Sequence, residues 1–255
     1  STGLKEIDYI IGDQYVTPLE NKNQFTENIL QLPNIWSCLS KPDFKIKKEI
    51  SSPALKNGFI TFGSFNNLSK INDNLIDLWS ETLKRVENSK LFLKAKELDN
   101  LAVAANIRKK FQENEISTER IIIEGKAKTR EEMLKKYNQV DIALDPFPYS
   151  GITTSFESIW MGVPLYVLKG NNFYSRTGMS INKNLGMEDW IANNKKDYFI
   201  KILKLTSDFN KLSQTREHLI NKVNVSTLFD SSLFANNFNK MLWKIWEKFT
   251  LKLTN

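Results

Sequence analysis

The chain has 255 residues, 41% of them hydrophobic and 11% aromatic, enough for two lobes around a sizeable core. Lys and Arg number 36 against 29 Asp and Glu, giving +7, but the cations are spread through helical patterns such as "KIKKE" and "NKKDY". Without interleaved aromatics they read as a solvated surface, so no nucleic-acid partner is expected. One cysteine, Cys38, excludes an internal disulfide framework, argues against a thiolate metal cluster and fits a reducing, cytoplasmic compartment. No apolar run approaches the ~20 residues of a bilayer span, and no signal peptide is evident, so no membrane association is expected.

The chain opens on "STGLKEIDYIIGD", which reads as the middle of a domain, so a longer parent protein is expected. "TPLE" (Thr17 to Glu20) has capping-box spacing, and "NQFTENILQL" after it predicts a short helix. "KPDFKIKKEISSPALKNG" is polar and reads as a connector. From Phe59 the pattern changes. "FITFGSF" predicts a buried strand, and Asn72 caps a helix with Leu75, Trp79, Leu83 and Val86 at helical spacing. "KLFLKA", "RIIIEG", "VDIALD" and "PLYVL" predict four further strands. Helices are predicted over 97–113, 131–137, 173–184 and 195–221, with another after Thr153.

The strands are apolar throughout rather than alternating, which suits a parallel sheet covered on both faces. Alternation of strand and helix predicts an α/β, doubly wound fold. The last helix carries Phe234, Phe238, Met241, Leu242, Ile245 and Phe249 on one face, which requires a packing partner.

In an open parallel sheet, ligands bind beyond the carboxyl ends of the strands. The loops there offer Lys70, Arg130, Thr153, Thr154, Ser175 and Arg176, with Asn67 beside Lys70, a set suited to an anion. Thr153 and Thr154 fall where a helix begins, and its free N–H groups and positive dipole end favour a phosphate. Gly151 permits close backbone approach, and Lys70 supplies a compact charge. Glu157, one turn further on, has the reach to accept from ribose hydroxyls. Thr154 and Glu157 equally match a capping box, [ST]-x-x-[DE], and the two roles are compatible. His218, the sole histidine, reads as a surface or packing residue, and Asp145-Pro146 as a strand end. Arg176 suits either a phosphate or a neighbouring acid. Trp160 and Met161 read as core. No His, Cys or acidic cluster has metal-ligand spacing, so no metal and no cofactor is expected.

The segments "FGSFNNLSKI", "VDIALDPFPYSGITTSFESIWMGVPLYVL" and "GNNFYSRTG" resemble the carboxyl-terminal catalytic lobe of the O-GlcNAc transferase/SPINDLY family of glycosyltransferases. The opening, from Ser1 to Cys38, is similar to the end of that family's amino-terminal lobe. The resemblance implies a GT-B enzyme whose Rossmann-like lobe binds a nucleotide-sugar donor, with UDP-GlcNAc as the first expectation. It implies a tail of the amino-terminal lobe with a connector over 1–50, the nucleotide-sugar lobe over 51–221, and a terminal helix over 222–255 packing back on the lobes. It assigns Asn67, Lys70, Thr153 and Thr154 to the donor diphosphate and Glu157 to the ribose. Arg130, with the backbone at Ala127 and Lys128, falls near the uracil. Lys70 carries the catalytic role, stabilising the leaving group without a metal.

The expected partners are the donor, an acceptor protein modified on Ser or Thr, the rest of the amino-terminal lobe and tetratricopeptide repeats; alone, the chain is expected to be inactive in transfer. Two family histidines are replaced, by Ile152 and Met133, which leaves GDP-fucose and UDP-glucose open as donors. A catalytically silent scaffold is a third reading.

Overall fold

All five apolar runs form strands of one parallel sheet in the computed structural model, which describes residues 1–253. They are β3 (Ile60–Ser64), β4 (Ser89–Lys94), β5 (Ile121–Glu124), β6 (Ile142–Leu144) and β7 (Leu165–Leu168). A short sixth strand, β8 (Ile191–Ala192), joins the edge, and the order is β5-β4-β3-β6-β7-β8. The sheet therefore grows outward in both directions from the β3–β6 pair, which is the doubly wound arrangement.

Alternation along each strand sends side chains to two cores. Phe62, Leu91, Leu93, Ile142, Leu144, Tyr166 and Leu168 share one with Trp79 of α2 (Asp73–Arg85), Phe111 of α3 (Leu101–Glu113) and Tyr198 of α7 (Lys195–Thr206). Phe92, Ala143, Leu165 and Val167 share the other with Leu134 of α4 (Arg130–Lys136), Phe156 of α5 (Thr153–Trp160), Ile181 of α6 (Thr177–Asn184) and Leu219 of α8 (Phe209–Val223). Each fully buried large side chain contributes ~1.5–3 kcal/mol by leaving water. Asn72 is the cap expected: its Oδ1 accepts from Leu75 N at 3.0 Å, and Asp208 Oδ1, at a helix start not foreseen, accepts from Lys211 N at 3.0 Å.

The amino-terminal segment departs from its predicted helix. Leu19–Gln24 is a 3-10 turn, and Asn28–Gln31 is a strand, β2, paired in parallel with β1 (Tyr9–Gly12). "TPLE" is not a cap: the Thr17 hydroxyl donates back to the Asp13 carbonyl at 3.0 Å. Buried Asp13 accepts from the N–H groups of Tyr15, Val16 and Trp36 and from the Ser180 hydroxyl of α6. That carboxylate ties the amino-terminal segment to the large sheet's flank. The predicted helix over 195–221 is two helices, α7 and α8, broken at Ser207-Asp208.

Asp141 and Arg216 close the underside. Asp141 accepts from the Ser52 hydroxyl, from Ala54 N of α1 (Pro53–Asn57) and from Thr61 N. Arg216, fully buried, donates to the carbonyls of Glu49 and Val140, each at 2.7 Å, and of Tyr137 at 3.4 Å. The last helix is α9 (Ser231–Leu253). Met241 and Ile245 line a 520 Å³ groove with Tyr9, Leu30 and Leu32, while Leu242, Trp243, Trp246 and Phe249 are exposed. The predicted unit 222–255 runs two residues beyond the described range.

Candidate active site

The reversal of strand order between β3 and β6 opens a crevice between the loops that follow them. Lys70 comes from the first loop, at the end of a 3-10 turn (Leu68–Lys70). Its ammonium donates to the Ser150 carbonyl at 2.8 Å and lies 4.6 Å from the centre of the Tyr149 ring. Burial lowers its pKa from the ordinary lysine value, opposed by the negative Asp145. Lys70 thus reaches the turn leading into α5, the element that begins at Thr153.

No side chain caps α5, whose N-cap is Ile152. Its first N–H groups and dipole are therefore available to an anion. The Thr153 side chain is exposed there. The Thr154 hydroxyl donates to Asn66 Oδ1 at 2.8 Å, which links α5 to the end of β3. The capping-box reading of Thr154 and Glu157 is not what forms, because a residue inside the first turn cannot be its N-cap. Glu157 instead turns toward α4, where Arg130 Nε donates to it at 3.3 Å. The Glu157 side chain is 5% exposed and that of Arg130 43%. Burial raises the Glu157 pKa, and the Arg130 charge and hydrogen bond oppose the rise.

Ala127 and Lys128 lie in the loop after β5, half-buried and exposed respectively. Lys128 N donates to Glu132 Oε2 at 3.0 Å, while Glu132 N donates to Thr129 Oγ1 at 3.1 Å, so Thr129 caps α4 and Glu132 ties back the residue before that cap. Asn67 Oδ1 accepts from Ser69 N at 2.9 Å and stabilises the turn that carries Lys70.

Ser175 and Arg176 do not join the set. The Ser175 hydroxyl closes a local turn with Asn172. Buried Arg176 donates through Nε to the Gly170 carbonyl at 3.2 Å. With its amide oxygen facing the guanidinium, Asn21 accepts from Arg176 at 2.6 and 3.1 Å. The arginine thus binds neither the crevice nor an acid. His218 is exposed on α8. Met161 is core as expected, whereas Trp160 is only partly buried under the Lys48 ammonium, 3.7 Å from its ring.

Four residues that shape the site were not legible as such: Asn66, Tyr137, Asp145 and Tyr149. The Tyr137 hydroxyl donates to the Thr154 carbonyl at 3.0 Å. Tyr149 stacks on Tyr174 with centroids 5.0 Å apart. Asp145 Oδ1 accepts from Gly151 N at 2.8 Å and from the Ser155 hydroxyl at 3.1 Å. Asn66 and Asp145 end β3 and β6, the one position where a signal existed.

Two grooves, beside α9 and beside α8, gather none of the predicted donor-binding residues. Strand topology and converging donors, rather than cavity volume, are what single out the candidate site. Among the described residues no group of three or more His, Cys, Asp or Glu side chains is placed to hold a metal ion, and no helix is long and apolar enough to cross a membrane.

Residues 46–238 match the family model described as glycosyl transferase family 41. The chain belongs to that family. A probable UDP-N-acetylglucosamine--peptide N-acetylglucosaminyltransferase SPINDLY from Solanum lycopersicum is 32% identical over 249 residues, 98% of this chain and 27% of the relative. A UDP-N-acetylglucosamine--peptide N-acetylglucosaminyltransferase from Caenorhabditis elegans is 26% identical, over 89% of this chain and 20% of its own length. This family 41 chain thus spans about a quarter of the curated relatives it matches. A solved O-GlcNAc transferase mutant from Thermobaculum terrenum superposes with a TM-score of 0.83 at 27% identity, covering 94% of this chain and 44% of that one. Sucrose-phosphate synthase from Thermosynechococcus elongatus, at 9% identity and a TM-score of 0.62, shares the fold alone, over 94% of this chain and 59% of its own. The α/β architecture is accordingly that of a GT-B glycosyltransferase.

Proposed function

We propose that this chain is the donor-binding lobe of a protein O-glycosyltransferase that takes UDP-GlcNAc and modifies Ser or Thr of an acceptor protein. The observation that carries the reading is the approach of Lys70, through the Ser150 carbonyl, to the uncapped start of α5 at the point where strand order reverses. The names of the relatives supply the donor and the acceptor class.

As the bond from sugar to diphosphate breaks, negative charge builds on the departing nucleotide. The Lys70 ammonium and the amide groups at Thr153 and Thr154 are donors fixed before that charge appears, and losing one such donor costs ~10²–10³ in rate. No metal is needed for this. Asn67 supports the turn bearing Lys70. Glu157, held by Arg130, accepts from the ribose, and the backbone near Ala127 and Lys128 flanks the uracil. The acceptor hydroxyl belongs to the acceptor protein, and the remaining catalytic residues and the acceptor-selecting repeats lie outside this lobe.

A second donor, GDP-fucose or UDP-glucose, is left open by one observation: Ile152 and Met133, at positions where the resemblance implies histidines, both pack against the hydrophobic core. Neither side chain can donate to a sugar hydroxyl. A donor panel decides between them. The full-length protein is incubated with UDP-GlcNAc, UDP-glucose or GDP-fucose and cell extract, and modified Ser and Thr are read by mass spectrometry. Transfer of N-acetylhexosamine is expected. Transfer of fucose or glucose alone would reassign the donor, and no transfer with no nucleotide binding would favour a silent scaffold.

A further inference from the structure

Asp145 is more than the end of β6. The residue is 4% exposed, and its carboxyl group lies against the turn that leads into α5. One oxygen receives both Gly151 N and the Ser155 hydroxyl, from either side of the α5 start. The other oxygen has no hydrogen-bond partner. It lies where a Cβ on Gly178 would approach to 2.2 Å, so the amino-terminal turn of α6 is drawn in over it. The Thr177 hydroxyl donates to the Gly151 carbonyl at 3.2 Å, and Ser150 N to the Tyr174 carbonyl at 3.2 Å, so the loops before α5 and α6 are stitched together above the same group.

The geometry points to Asp145 as the positioning residue of the donor loop: it fixes the Ser150–Ile152 turn, and with it the α5 start and the carbonyl on which Lys70 rests. This inference rests on the donor-binding reading above. Asp145 touches neither donor nor acceptor, so its effect passes through Gly151, Ser155 and Lys70.

A buried carboxyl group beneath the turn that leads into α5 also couples the site to protons. The charged group facing Asp145 is Lys70, from the turn after β3. Tyr198 of α7 is the other titratable group coupled to it, and α5 and α6 present Ser155 and Gly178, which carry no charge. Burial pushes the Asp145 carboxyl up to about 6, against the opposing influence of Gly151 N, the Ser150 and Ser155 hydroxyls and the charge of Lys70. Deprotonation therefore adds a negative charge beneath the donor within an accessible pH range, and affinity falls as pH rises through that range.

The test is calorimetric titration of UDP-GlcNAc, whose diphosphate diester does not itself titrate between pH 5 and 7.5, into the full-length protein. Wild type is expected to bind several-fold more weakly at pH 7.5 than at pH 5. D145N keeps the fold and the bonds to Oδ1, binds within about threefold of wild type at pH 5 and loses the pH dependence. D145A, checked for folding by circular dichroism, is expected to bind at least tenfold more weakly at both pH values. If D145A fails to fold, D145N alone decides. Folded D145A with wild-type affinity, or D145N with the wild-type pH profile, overturns the positioning role. Wild type that binds no UDP-GlcNAc at either pH instead overturns the donor-binding reading on which this one stands.

Discussion

The Lys70 ammonium rests 2.8 Å from the Ser150 carbonyl oxygen, across a crevice whose two walls come from residues 80 positions apart in sequence. Strand order makes that possible: β3 and β6 are neighbours, so the loops that follow them face each other. The carbonyl holds the lysine in one place, so under the proposed donor-binding role part of the entropy of ordering a long side chain is already lost before binding.

Gly151→Ala tests how tightly this wall is built. An added Cβ would lie 2.3 Å from Ser155 Oγ, 2.9 Å from Thr154 Oγ1 and 3.0 Å from Asn66 Oδ1. Chemical denaturation should show a loss of about 1–3 kcal/mol. Donor KM should rise at least tenfold, since the displaced hydroxyls stand at the α5 start.

Asp145 makes a stability prediction that needs no ligand. Its carboxyl is raised from 3.8 to about 6 in the folded chain. The native state then holds the proton more tightly than the unfolded state, so this group's favourable contribution is complete below the unfolded value and is lost as pH rises through the folded one. The shift corresponds to about 3 kcal/mol. Urea unfolding of wild type and Asp145→Asn at pH 4, 5.5 and 7.5 should show wild type losing that margin relative to the variant.

Arg130→Ala leaves the Glu157 carboxylate buried without its cation. Burial already raises the Glu157 pKa, and removing Arg130 takes away the opposing charge. The destabilisation should be small at pH 4 and about 1–2 kcal/mol at pH 8, read from denaturation midpoints. Because Arg130 is partly exposed, the pair itself adds little, and the loss is the cost of stranding the acid. Glu157→Gln should spare stability and weaken nucleotide binding.

Arg216→Met removes the buried guanidinium that joins the carbonyls of Glu49, Val140 and Tyr137. Three acceptors lose a charged donor, at a cost of about 3 kcal/mol or more. Thermal unfolding should fall by about 6–12 °C. Nucleotide affinity of the folded protein should be unchanged, because this cluster lies beneath the sheet.

Much of this was readable from residues 59 onward, where buried strands such as "FITFGSF" are too apolar to be anything else and Asn72 marks its helix plainly. The first 50 residues were harder. "NQFTENILQL" has helical spacing, but its second half pairs with Tyr9–Gly12, and tertiary pairing overrides local pattern. Lys70, Thr153 and Thr154 stood out because loop position and residue type agree, and the fold brings Lys70 to the turn that leads into Thr153. Arg176 has the right type and position, yet its guanidinium is taken up by Gly170 and Asn21. Asp145 looked like punctuation, because nothing local reveals that Gly151, Ser155 and Gly178 close over it.

Titration of UDP-GlcNAc into the full-length protein, wild type beside Lys70→Ala, tests the central claim most directly. A single saturable site that Lys70→Ala weakens at least thirtyfold, with unfolding temperature unchanged within a few degrees, is the predicted result. Equal affinity in the two proteins, or no binding by wild type, would contradict it.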